Sequence, residues 1–85
     1  MRRESWVIAP ENILGRAVRC GLISAADAES ETYLRAALET AEDIRDSWPE
    51  GEGFGSSDGT YAMEDMLNRA GRKTAYVEGR LTVVA

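Results

Sequence analysis

Apolar side chains recur at Ile13, Leu14, Ala17 and Val18, a three-four spacing that predicts a first helix over residues 11–20. Pro10 suits the first turn of that helix, and Gly21 stands where a left-handed C-terminal cap is wanted. A second helical pattern starts at Ser24, three residues before Asp27 as in a capping box, and runs alanine-rich and glycine-free to Trp48. Within it Leu34, Ala37, Leu38, Ala41, Ile44 and Trp48 keep the spacing of a core stripe, while Glu31, Arg35, Glu39, Glu42 and Asp46 follow the opposite face. Pro49 ends it. The stretch 50–59, EGEGFGSSDG, holds four glycines and reads as a loop, with Ser57 or Asp58 capping a third helix over 60–70. Tyr61, Met63, Met66, Leu67 and Ala70 form the apolar side of that helix, and Gly71 stands at its exit.

From Lys73 the period changes to two. Thr74, Tyr76, Leu81 and Val83 alternate around Glu78-Gly79, which predicts a hairpin with a two-residue turn. Residues 5–9, β-branched and aromatic and stopped by Pro10, read as a further strand. An isolated hairpin is marginally stable, so this strand is expected to join it. The fold class expected is α+β, with three helices packed on a three-stranded antiparallel sheet in the order β-α-α-α-β-β, as one domain over residues 1–85.

Composition narrows the function. The apolar fraction, 44%, supports one core without staples. The lone Cys20 forms no internal disulfide, and the chain has no histidine, which excludes the usual zinc arrangements and fits a reducing, cytoplasmic setting. Cys20, ending an apolar stripe, is expected to be a small core residue. The apolar runs are far shorter than the ~20 residues of a spanning helix, and the N-terminus has no signal-like apolar region, so no membrane partner or export is expected.

Ten basic against fifteen acidic residues give a net charge of −5, which argues against direct nucleic-acid binding. The charge is unevenly spread: the stretch 27–65 carries twelve acids and only Arg35 and Arg45 as bases, whereas the flanks are net basic. A Ser or Cys nucleophile would need Lys73 or a carboxylate as its base, and Lys73 is expected to be solvated. The carboxylates of Glu50, Glu52 and Asp58 lack the ligand order of a calcium loop, and the run GEGFGSSDGT lacks the lysine of a phosphate-binding loop. A helix-turn-helix reading around Gly21 would offer Asp27, Glu29 and Glu31 to DNA phosphates, which repel them. No catalytic residue, metal site or cofactor is therefore expected, and the chain reads as a non-enzyme.

What remains is the acidic surface. Glu39/Asp43 and Glu42/Asp46 are like charges four apart, which cost a helix a few tenths of a kcal/mol each and are not explained by helix stability. A basic partner would explain them. The expected partner-binding residues are Glu39, Glu42, Asp43, Asp46, Glu50, Glu52 and Asp58, with Phe54 either an exposed anchor or folded onto the core. In size, acidity and the acidic stretch 39–58 the chain resembles small phage-encoded anti-defence proteins, anti-CRISPR proteins among them. That resemblance implies an inhibitor that occupies a basic, nucleic-acid-binding surface of a partner protein. The alternative is an accessory module or homodimer that uses a hydrophobic contact around Trp48 and Phe54.

Overall fold

The computed structural model describes residues 9–47 and 56–84. Ala9, extended at φ −140° and ψ 149°, leads into α1 (Pro10–Arg19), and its carbonyl accepts the first backbone bonds of that helix, from Asn12 and Ile13. Ile13, Leu14 and Ala17 are buried. The helix closes on Gly21 at φ 77°: the Gly21 N–H donates to Val18 and the Leu22 N–H to Ala17, so that two orphan carbonyls are satisfied. Cys20 is exposed, contrary to the core position expected for it. The regular helix stops at Arg19, and the chain buries Ile23 beyond the turn instead.

The long second helix expected from Ser24 is divided. The capping box forms, with the Asp27 N–H donating to Ser24 Oγ at 3.0 Å, but it starts only the single turn α2 (Ala25–Ala28). Ser30 interrupts the run. Its hydroxyl donates to the Asp27 carbonyl at 2.8 Å and accepts from the Tyr33 N–H at 3.4 Å, ending one helix and capping the next, α3 (Glu31–Ser47). The described residues thus contain four helices where three were expected.

The buried face of α3 is Tyr33, Ala36, Ala37, Thr40, Ala41 and Ile44. Compared with the expected stripe it is turned by roughly 60° about the helix axis, and Leu34 and Leu38 are each 46% exposed. Four of its six positions are alanine or threonine, short side chains that suit a helix lying between α1 and another helix, α4 (Ser56–Arg69). That last helix begins earlier than expected, so Ser57 and Asp58 fall within its first turn and do not precede it. Its inner face is Gly59, Ala62, Met63, Met66 and Leu67, while Tyr61, expected to be apolar core, is 49% exposed because it falls between those positions. Gly59 lies under the end of the Arg16 side chain: a Cβ there would stand 3.0 Å from the guanidinium carbon, so a larger residue would displace that group by a few tenths of an ångström.

Gly71, at φ 91°, ends α4 with the same pair of bonds as Gly21, the Gly71 N–H to Asn68 and the Arg72 N–H to Leu67. The chain then enters the antiparallel hairpin β1 (Lys73–Val77) and β2 (Arg80–Val84), turning at Glu78-Gly79 as expected, both in the left-handed region at φ 54° and 79°. Leu81 and Val83 pack on the helical core, and Asn68 fixes the exit of α4 by donating to the Arg72 carbonyl and to Thr74 Oγ1. The described sheet has two strands, and the class is α+β. The expected third strand at residues 5–9 lies, apart from Ala9, outside the described residues. No described helix is long and apolar enough to cross a membrane.

Candidate functional site

The outer face of α3 follows from its inner one. With Tyr33, Thr40 and Ile44 turned inward, a 3.6-residue repeat points Glu42, Arg35 and Asp46 directly away from the core. Arg35 pairs with Glu31 one turn earlier, whereas no basic side chain among the described residues pairs with Glu42 or Asp46. Along one flank of this ridge run the exposed Leu34 and Leu38. The other flank faces α4.

On that second flank the acidic surface is not free. Arg69, with its side chain 32% exposed, donates from Nε to Asp65 Oδ2 at 2.7 Å, bonds to Asp43 and lies 3.6 Å from Glu39. Thr40, fully buried, donates its hydroxyl to the same Asp65 oxygen at 2.9 Å. The bond to Asp65 raises the Arg69 pKa against the opposing effect of desolvation, and the charges of Asp65 and Asp43 add to it, so the group is a permanent cation. The Glu39/Asp43 pair, which helix stability alone does not explain, therefore has an internal explanation: the carboxylates clamp α4 through Arg69. Both carboxylates nevertheless keep about half or more of their side-chain surface exposed, at 51% and 61%.

The expected site residues thus separate into three groups. Glu42 and Asp46 stand exposed, Glu39 and Asp43 hold Arg69, and Asp58 has its backbone in the first turn of α4. Glu50, Glu52 and Phe54, with Trp48, lie outside the described residues. Sequence reasoning missed Arg69 and Thr40. Arg69 carried one signal, its place four residues after Asp65 on a helix; Thr40 carried none, being a polar residue at a core position.

Two further features lie away from α3. Tyr76 donates its phenol to Glu64 at 3.2 Å; desolvation raises its pKa, and the bond to Glu64 and that residue's charge raise it further. A groove of about 730 Å³ separates the end of α1 from β2, with Arg19, Cys20 and Leu22 on one wall, Arg80 and Leu81 on the other, and Met63 of α4 between. Among the described residues no group of three or more Cys, Asp or Glu is placed to hold a metal. Comparison with protein families, curated proteins and solved structures finds no match.

Proposed function

We propose that this chain is a non-enzymatic binding protein that presents the outer face of α3 to a basic surface of a partner protein. The surface would be one that holds nucleic acid, which the chain blocks by occupancy, as phage-encoded anti-CRISPR proteins do. The observation that carries this reading is the ridge of Glu42 and Asp46, exposed and without an ion pair among the described residues, beside Leu34 and Leu38. Carboxylates of this kind steer an approaching basic surface, and adjacent leucines add apolar contact once water is displaced. The lone Cys20 fits a cytoplasmic setting.

Capture of partners from the source cell, followed by titration calorimetry of the recovered protein at two salt concentrations, tests the reading. Binding that weakens with salt and with Glu42→Lys/Asp46→Lys supports it; binding insensitive to both eliminates it. A second reading rests on the 46% exposure of Leu34 and Leu38: a homodimer or accessory contact through apolar surface, for which the sequence also offers Trp48 and Phe54. In that case Leu34→Asp/Leu38→Asp abolishes association and the charge reversals leave it unchanged. The same proposal includes residues 5–9 as a third strand beside the hairpin, on its β1 side, which backbone chemical shifts of those residues decide.

A further inference from the structure

The outer edge of β2 borders the groove beside α1. A two-residue turn closes on a hydrogen-bonded pair, here Val77 with Arg80, and the alternation of an antiparallel ladder makes Ala75/Thr82 and Lys73/Val84 the next such pairs. The backbone N–H and C=O groups of Leu81 and Val83 therefore face away from β1, and no other described backbone group bonds to them. Their side chains are meanwhile committed to the core, so the edge is held in place while its polar groups point outward. An open strand edge is a template for another strand.

The groove also has a charge. Arg19 and Arg80 stand in it, both exposed and neither in an ion pair among the described residues, although the chain as a whole is net acidic. Leu22 and Met63 supply apolar lining between them. We propose that the β2 edge and this groove accept an extended segment of a partner protein in which apolar and acidic residues alternate. The strand would add to β2 through Leu81 and Val83, set its apolar side chains toward Leu22 and Met63, and offer its carboxylates to Arg19 and Arg80. The chain's own residues 1–8 fit this groove less well, since they bring Arg2 and Arg3 against one acid, Glu4. The surface is separate from the α3 ridge, no residue of which lines the groove.

The test is amide NMR of the full chain with two probes, a capped nine-residue peptide of alternating valine and glutamate and its valine-lysine counterpart. The glutamate peptide is expected to shift the Leu81 and Val83 amides and slow their exchange, while the lysine peptide leaves them unmoved. Arg19→Glu/Arg80→Glu is expected to weaken the glutamate peptide roughly tenfold or more. The Thr82 amide, which faces β1, reports whether the hairpin of that variant is intact; if it is not, the contrast between the two peptides on the unaltered chain decides. Unmoved amides, or an equal response to both peptides, overturn the proposal. So does slow exchange of Leu81 and Val83 in the free protein that disappears on deleting residues 1–8 or on dilution, since the chain itself or a second copy then covers the edge.

Discussion

The Thr40 hydroxyl donates to the Asp65 carboxylate at 2.9 Å, joining the fully buried face of α3 to the rim of α4 across twenty-five residues of sequence. That oxygen also receives Arg69 Nε, so one carboxylate connects a core hydroxyl to a surface cation. Replacing Thr40 with valine keeps the volume but leaves Asp65 short of a donor. The expected cost is about 1–2 kcal/mol, read as a lower denaturant midpoint with unchanged slope.

Arg69 faces Glu39, Asp43 and Asp65 together, and without it three carboxylates confront one another. Arg69→Gln is expected to lower stability by about 1 kcal/mol at low salt, and the deficit should shrink as salt screens the repulsion. A deficit independent of salt would show that the arginine acts through packing alone.

The same geometry separates binding from folding on α3. Asp43→Lys sets a second cation against Arg69 and should lower the melting temperature. Glu42→Lys/Asp46→Lys alters exposed positions and should leave it nearly level: the introduced lysines are again like charges four apart, but each lies three residues after an acid, Glu39 or Asp43, and position 46 is in the last turn of the helix. If the proposed partner reading holds, that double variant associates roughly tenfold more slowly at low salt. Thermal melts and stopped-flow association measure the two effects independently.

Glu78 adopts φ 54° in the hairpin turn, a conformation that asparagine takes more readily. Glu78→Asn is expected to stabilise the protein by about 0.5–1 kcal/mol. A neutral or negative result in chemical denaturation would show that Glu78 contributes something the turn geometry does not reveal.

Tyr76 should ionise above the ordinary tyrosine value of about 10. A raised folded pKa means that its stabilising effect is complete below the unfolded value and is lost as pH rises through the folded one. Ultraviolet titration, with Tyr76→Phe isolating the contribution, should show the transition moving down in Glu64→Gln, since the bond and the charge of Glu64 both favour the neutral phenol.

The features legible in the sequence were those set by local chemistry. Gly21 and Gly71 cap helices because only a left-handed residue closes those turns, and Glu78-Gly79 turns the hairpin for the same reason. The division at Ser30 was hidden because the residues on either side are good helix formers, and the serine's hydroxyl competes for bonds that helix propensity assigns to the backbone. The phase of α3 misled because leucine outweighs alanine in any reading of apolar spacing, whereas close packing between two helices selects the alanines and leaves Leu34 and Leu38 outside. The acidic residues were visible one by one, but Arg69 meets Asp43 only through the packing of α3 on α4.

The single turn α2 contributes no buried side chain, and its bonds are satisfied almost entirely by its own serine and aspartate caps. Ala28 packs against the core, but Ala25 and Ala26 before it are exposed, and among the described residues they form a segment open to insertion. A peptide epitope or a second domain spliced there would meet solvent while Ile23 and Tyr33, on either side, keep their places in the interior.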